Sequence, residues 1–118
     1  MNFDILIAGG GAAGMSCALV LGSARDRIYA KDKKIGILLH QRTSHLQSAV
    51  LNNALGIPPG TPGAQILEEG AVHLAQLYPH VHQIYKEKVR EITETESGFI
   101  VFTNKATYQS DIVIIAAG

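Results

Sequence analysis

The stretch that most constrains the fold of this chain is a glycine-rich turn near its start. An apolar run, Ile5 to Ala8, leads into the pattern Gly9-x-Gly11-x-x-Gly14, and small and aliphatic residues at helical spacing follow. Strand, glycine turn and helix in this order predict a dinucleotide-binding βαβ unit. The alternative is a tight turn with a purely structural role, because GxGxxG by itself occurs in many unrelated loops.

The glycines of this turn differ in what they allow. Gly9 permits the sharp turn out of the strand, and Gly11 lets the backbone approach a pyrophosphate without an intervening Cβ. Gly14 lets the helix pack closely on the sheet. The N–H groups of the first helical turn, around Gly11, Ala12 and Ala13, then face the phosphates at the positive end of the helix dipole.

Size and composition restrict the class of protein. With 118 residues, 47% of them hydrophobic and 17% charged, the chain predicts one globular domain. Ten basic side chains balance ten acidic ones, which argues against a nucleic-acid surface or a polybasic membrane patch. Asp4 interrupts any signal peptide, and no segment is apolar for long enough to span a membrane. The single cysteine, Cys17, excludes an internal disulfide and indicates a reducing cytoplasm; we interpret it as a buried helix residue.

The periodicity of the remaining chain predicts an α/β fold. We expect a Rossmann-like parallel sheet with helices, followed by a small antiparallel β-meander. The long connection 43–61 is apolar for a loop, as expected if it lines a pocket. The predicted helices are Ala12–Ala24 and one beginning at Pro62 or Gly63; the predicted parallel strands are Ile5–Ala8, Ile35–Leu39, Val81–Tyr85 and Asp111–Gly118; the predicted meander strands are Lys88–Thr95, Phe99–Thr103 and Thr107–Gln109.

The residues after the second strand are unusual for this fold. An acidic residue about 20 positions past the glycines normally holds the adenosine ribose, but this chain has His40, Gln41 and Arg42 there. His40 or Gln41 can hydrogen-bond a ribose hydroxyl, whereas Arg42 suits the 2′-phosphate of NADP. The third interpretation is that all three are surface residues.

Histidines raise the question of a metal site. His80 and His82 form an H-x-H pair, but alternation in a strand produces that spacing by itself. No cysteine or carboxylate cluster accompanies the pair. We therefore predict no metal site.

Four segments in this order resemble the flavin domain of the pyridine nucleotide–disulfide oxidoreductase superfamily, in its thioredoxin-reductase-like branch. The resemblance covers essentially the whole chain. Its closing motif departs from the family at Ala117, where the family has threonine. The four segments are Ile7–Gly14, which is similar to the family's GxGPAG; Asn53–Gly60, similar to its N-x-x-G-F-P-x-G; the meander in place of a helical crossover; and Asp111–Gly118, similar to its closing ATG motif.

The resemblance implies FAD as the cofactor and assigns roles around it. Gly9, Gly11, Ala12, Ala13 and Gly14 would hold the pyrophosphate. His40, Gln41 and Arg42 would lie near the adenosine ribose, and Asn53 with the loop around Gln47 would approach the flavin. The backbone of Val89 would contact the adenine, and Ala117 and Gly118 would pass close to the cofactor. No catalytic residue is implied within these positions.

The resemblance also implies what a complete member would contain. Such a member continues into an NADPH domain, so we expect residues 1–118 to be one FAD-binding domain, a fragment or split half that is incomplete relative to the family and does not turn over alone. The strand beginning at Asp111 would then expose an edge that self-associates or pairs with a partner chain. The alternatives are an NADP-binding Rossmann domain, motivated by Arg42, and a non-catalytic nucleotide-binding module that assembles with a partner.

Overall fold

The fold is organised around strand β1, which lies in the middle of the sheet. The computed structural model describes residues 1–40 and 45–116. Its helices are α1 (Ala12–Ser23), α2 (His45–Ser48) and α3 (Gly63–Leu77); its strands are β1 (Asn2–Ala8), β2 (Ile35–Leu39), β3 (Val50–Leu51), β4 (Thr61–Pro62), β5 (Val81–Tyr85), β6 (Val89–Thr95), β7 (Gly98–Thr103) and β8 (Thr107–Ile115).

Six strands form one mixed sheet in the order β5-β2-β1-β8-β7-β6. Strands β5, β2, β1 and β8 run parallel, and β7 and β6 add antiparallel pairs beyond β8. The predicted Rossmann-like α/β fold with a small meander is therefore confirmed. The chain passes from β5 at one edge of the sheet to β6 at the other, without an intervening helix.

Alternation along the central strands builds two hydrophobic clusters. Ile5 and Ile7 of β1 pack with Met15 of α1 and Leu74 of α3. Leu6, on the opposite face of β1, packs in a second cluster with residues of the meander and of β2: Leu38, Val101 and Tyr108. Because β1 is buried on both faces, its sequence contains a continuous apolar run. No helix within 1–40 and 45–116 is long and apolar enough to cross a bilayer.

The last strand differs from the prediction. Segments 107–109 and 111–118 were expected to be two strands, but Thr107–Ile115 is a single strand. Its first four residues pair with β7 in antiparallel fashion, and residues from Gln109 to Ile115 pair with β1 in parallel. A strand that changes partner along its length needs no turn between the two pairings, so Ser110 is buried within it rather than exposed in a loop.

The predicted long loop is also partly structured. His45–Ser48 forms the short helix α2, and β3 pairs with β4. Two backbone bonds fold the intervening segment back on itself, Gly60 N–H to Leu51 O at 2.8 Å and Gly63 N–H to Ala49 O at 2.8 Å. The segment therefore satisfies part of its backbone internally, which periodicity does not reveal.

A buried carboxyl group holds the crossover between β5 and β6 in place. Glu87 is 7% exposed, and each of its oxygens accepts one hydroxyl. The donors are Thr103 at 2.7 Å and Tyr108 at 2.7 Å, from β7 and β8. Such pairing is what makes burial of an acidic side chain tolerable. Removing one donor leaves the carboxyl group under-satisfied in the interior.

This cluster makes stability depend on pH at the alkaline end. Burial raises the pKa of Tyr108 to about 12, and the hydrogen bond to Glu87 and its negative charge act in the same direction. The unfolded tyrosine titrates near pH ~10. Its stabilising contribution is thus complete below that pH and is lost as pH rises toward about 12. We expect this group to lower the free energy of unfolding by about 2 kcal/mol over that window.

Chemical denaturation at a series of alkaline pH values measures this loss, and Tyr108→Phe is the matched variant. The variant is less stable at neutral pH, by about 1–3 kcal/mol, because Glu87 loses a donor. Its stability should then decline less steeply than that of the wild type at high pH. Parallel declines for the two proteins would contradict the assignment.

Candidate dinucleotide site

A cavity of about 350 Å³ lies where the parallel strands end and α1 begins. It opens beside β1, the strand from which the order runs to β2 on one side and to β8 on the other. Ligands of open α/β sheets bind at such a switch point, outside the carboxyl ends of the strands. The cavity is lined by Ala8, Gly9, Gly10, Gly11, Ala12, Ala13, Leu38, His40, His45, Leu46, Glu87, Lys88, Val89 and Ala116.

The glycine turn at this cavity is sterically determined. Gly9 has φ of 124°, a conformation that L side chains rarely adopt. A Cβ on Gly14 would overlap the carbonyl oxygen of Gly9, and a Cβ on Gly10 would overlap the side chain of Leu39. Gly14 therefore permits α1 to pack closely against the ends of β1 and β8, at the turn itself.

The start of α1 is suited to an anion. Gly11 is the N-cap, with no side-chain cap, and the first turn contains no acidic residue. The first N–H groups of a helix have no partner within the helix. Here they open on the cavity, at Ala12 and Ala13. The chain thus provides backbone donors and a positive dipole end without a competing carboxylate.

The polar lining of the cavity lies toward the ends of β2 and β5. His40 follows β2, His45 opens α2, and Lys88 precedes β6. Among the described residues, Glu87 is the one acidic residue in the lining, and both its oxygens are engaged by Thr103 and Tyr108. The rest of the lining is mainly apolar, from Leu38, Leu46 and Val89 among others, which suits a planar base.

The crossover between β5 and β6 is what brings Lys88 and Val89 to the cavity. The backbone of Lys86 has φ of 59°, and its N–H donates to Leu39 O at 2.9 Å. The Lys88 N–H donates to Asn104 Oδ1 at 2.9 Å. These bonds attach the crossover to β2 and to the β7–β8 turn on either side of Glu87.

The predicted site residues separate into three groups. Those that line the cavity together are Gly9, Gly11, Ala12, Ala13, His40 and Val89. Gly14 is buried beneath the turn, and Gln47 and Asn53 are exposed and outside the lining. Gln41, Arg42, Ala117 and Gly118 lie outside the described residues.

Sequence reasoning missed several lining residues, among them His45, Leu46, Glu87, Lys88 and Ala116. His45 and Leu46 reach the cavity through α2, which was expected to be loop. Glu87 and Lys88 reach it through the crossover. The connection reads Lys86-Glu87-Lys88, so nothing in its sequence marked Glu87 as a buried residue.

Other candidate groups lie away from the cavity. Burial raises the pKa of the Cys17 thiol, which disfavours the reactive thiolate. Burial, and secondarily the charge of Arg25, lowers the pKa of His80, whose two ring nitrogens have no hydrogen-bond partner. Within 1–40 and 45–116, no group of three or more His, Cys, Asp or Glu residues is placed to hold a metal ion.

Known proteins of similar sequence and fold are reductases or oxidoreductases by name. The chain is 28% identical over 123 aligned positions to a ferredoxin–NADP reductase of Streptococcus thermophilus, covering 98% of this chain and 34% of that protein. The chain thus spans about a third of the length of this curated relative. No protein-family model matches the chain.

Solved structures agree with this relationship. An oxidoreductase from Agrobacterium tumefaciens aligns with a TM-score of 0.81 and 28% identity, over 100% of this chain and 37% of that one. Thioredoxin reductase from T. acidophilum aligns with a TM-score of 0.77 and 28% identity, over 99% and 36%. In sequence and fold the chain is therefore similar to members of the pyridine nucleotide–disulfide oxidoreductase superfamily.

Proposed function

We propose that residues 1–118 form the FAD-binding domain of a thioredoxin-reductase-like, NAD(P)H-dependent flavoprotein oxidoreductase. The observation that supports this most is the uncapped start of α1 opening, through the Gly9–Gly14 turn, on a cavity at the switch point of the sheet. The similarity to a thioredoxin reductase and a ferredoxin–NADP reductase points to the same class.

The residues present fit the adenosine and pyrophosphate end of FAD. The N–H groups at Ala12 and Ala13 would bind the pyrophosphate, and Gly11 would allow its close approach. Val89 and Leu38 would contact the adenine, and His40 would donate to a ribose hydroxyl. A cavity of about 350 Å³ is at the small end for ligand sites, so it suits one half of a dinucleotide.

FAD would supply the redox chemistry when bound, and this domain would bind and orient it. We assign no acid, base or nucleophile to the chain, and we expect no NADPH-driven turnover from it alone. The roles of Gln47, Asn53, Gln41, Arg42, Ala117 and Gly118 toward the cofactor remain part of the proposal. So does a cytoplasmic location, which the single cysteine indicates.

FAD binding by the purified chain tests the proposal, with Gly11→Val as the key variant. Gly11 has φ of −77° and ψ of −161°, which other residues adopt, so the variant should fold. The added side chain lies where the pyrophosphate would approach, so affinity should fall at least tenfold, which corresponds to about 1.4 kcal/mol.

Calorimetric titration with FAD, together with the absorbance spectrum of the fresh protein, gives the readout. Ser16→Val is the control, because Ser16 is exposed on α1 and outside the cavity lining. It should bind like the wild type. Equal affinity in Gly11→Val would exclude the phosphate role, and no binding of FAD or ADP would refute nucleotide binding altogether.

An NADP-binding domain is the second candidate, and one feature of the cavity favours it. His40, His45 and Lys88 line it, while Glu87 is engaged elsewhere. Groups that can carry positive charge, without a free carboxylate, suit a phosphate on the ribose better than a pair of hydroxyls. The sequence adds Arg42 next to this end of β2.

Replacing His40 by glutamate discriminates the two candidates. If the ribose is unphosphorylated, as in FAD, His40→Glu restores a carboxylate acceptor for its hydroxyls and should tighten FAD binding several-fold. If NADP is the ligand, the same variant should weaken NADP, and Arg42→Ala should weaken NADP much more than NAD. Titration with FAD, NADP and NAD measures these changes. Unchanged affinities in both variants would indicate that these side chains have no role in binding the dinucleotide.

Strand β8 has an open side that suits a further strand. Residues 111–115 pair with β1, but β7 pairs only as far as Ser110. Among the described residues no strand covers the other side of this segment. Ile112 is 52% exposed and Ile115 is 72% exposed. An apolar, unpaired edge is a template for pairing, so we propose that the chain self-associates or assembles with a partner there.

Sedimentation at increasing concentration tests this edge. We expect dimers or larger species for the wild type, and a shift to monomer in Ile112→Lys with Ile115→Lys, because edge lysines oppose strand pairing. Val20→Lys is the control, since Val20 is 65% exposed on α1 and is not part of the sheet. A strictly monomeric wild type without a partner chain would contradict the prediction.

A further inference from the structure

The end of the molecule opposite the cavity has its own surface character. Parallel strands start at a common edge, so the beginnings of β1, β2 and β5 lie together there. Helices α1 and α3, which lead into β2 and β5, also end at this edge, at Ser23 and Leu77. We call this end the base edge.

Apolar side chains are exposed along the base edge. Ile28 is 96% exposed and Tyr29 is 68% exposed, both in the connection from α1 to β2. Met1, before β1, is 65% exposed, and Leu77, at the end of α3, is 52% exposed. Scattered exposed apolar residues are ordinary, but an adjacent Ile–Tyr pair with both side chains mostly exposed, beside two more, is not.

The connection that presents Ile28 and Tyr29 is an ordered turn. The Arg27 N–H donates to Ala24 O at 2.8 Å, and the Lys31 N–H donates to Arg27 O at 2.7 Å. Ala24 and Ala30 are buried at 7% and 3% exposure, on either side of the exposed pair. Local bonds and buried alanines thus direct the apolar pair outward.

The far end of the same connection is fixed to β1. The Lys34 N–H donates to Asp4 Oδ2 at 2.6 Å, and the Lys34 ammonium lies 5.2 Å from the centre of the Phe3 ring. A segment tied down in this way loses little conformational freedom on binding. Its exposure is therefore a property of the fold.

Charge is concentrated in this connection. Residues 25–34 hold five of the ten basic side chains of the whole chain and two of its ten acidic ones. The basic residues flank the apolar pair on both sides: Arg25, Arg27, Lys31, Lys33 and Lys34. The neutral total charge conceals this segregation.

We propose that the base edge is a peripheral binding surface for an anionic lipid bilayer. Ile28 and Tyr29 would enter the interface, where an aliphatic side chain and an amphipathic ring are favourable. The flanking lysines and arginines would extend their charged ends to lipid phosphates. An acidic protein surface shares the charge complementarity, but four apolar residues spread along one edge offer little of the packed core that a protein interface needs.

The position of this surface is compatible with the dinucleotide cavity. The cavity opens at the carboxyl ends of the strands, and the base edge lies at their amino ends. A bilayer at the base edge therefore leaves the cavity accessible. Membrane binding by the base edge does not depend on which dinucleotide the cavity holds.

Sedimentation of the 118-residue chain with vesicles tests the proposal. Vesicles of phosphatidylcholine with about one-fifth phosphatidylserine should bind the chain at low salt, and pure phosphatidylcholine should bind it at least tenfold more weakly. Arg27→Gln combined with Lys31→Gln should lower partitioning about 30-fold, from roughly a fivefold loss per cation. Ile28→Ser should lower it about tenfold.

Two matched variants control for general effects. Leu55→Ser removes another fully exposed apolar side chain, in the connection between β3 and β4. Arg90→Gln removes an exposed cation on β6. Both should bind vesicles like the wild type.

Three outcomes would overturn the proposal. One is binding to neither vesicle. Another is binding that Leu55→Ser and Arg90→Gln weaken as much as the base-edge variants do. The third is binding to poly-L-glutamate without binding to vesicles, which would assign the surface to an acidic protein. Circular dichroism of each variant confirms that it is folded.

Discussion

The close approach of α1 to the end of β1 is the constraint on which this structure depends. The Gly9 carbonyl occupies the space that any side chain on Gly14 would need, and Gly9 itself takes a φ of 124°. This geometry brings the start of the helix directly against the strand end. It leaves the first N–H groups of α1 without side-chain caps and facing a cavity. Steric requirements in the backbone thus create an electrostatic site.

The other wall of the cavity depends on a different interaction. The crossover from β5 to β6 passes over the end of β2, and the buried carboxyl group of Glu87 ties it to Thr103 and Tyr108. The hydrogen bonds from these two hydroxyl groups engage both oxygens of Glu87, so its carboxyl group is not free to act in the cavity. The polar character of this wall then comes from His40, His45 and Lys88. Because Glu87 is held in these hydrogen bonds, the chemistry that this wall offers to a ligand is that of its neighbours.

Sequence reasoning predicted the fold class well because the fold depends on local signals. Apolar runs marked β1, β2 and β5, the glycine pattern marked the start of α1, and both α1 and α3 begin where expected. It divided β8 into two strands at Ser110, whereas Ser110 is buried within the strand and its hydroxyl donates to Ile112 O at 2.6 Å. A change of partner strand is a tertiary event, and local periodicity contains no record of it.

The site was predictable in part for the same reason. Gly9, Gly11, Ala12, Ala13 and His40 follow strand ends, so their positions follow from the motif. Lys88 reaches the cavity through its hydrogen bond to the side chain of the distant Asn104, and Leu46 reaches it through the packing of α2 on α3. Asn53 lies outside it because the segment after α2 folds back through the β3–β4 pair, and Gln47 is exposed on α2.

The pairing of β1 with β8 has a consequence for the time course of folding. Residue 2 lies opposite residue 109, so the central pair of the sheet joins the beginning of the chain to its last described strand. Contacts of such long range slow folding, because the loop between them must close first. During synthesis, β1 leaves the ribosome long before its neighbour exists. One side of its apolar surface therefore stays exposed until β8 has been synthesised. The glycine turn is therefore among the earliest segments made and among the last to gain its final support.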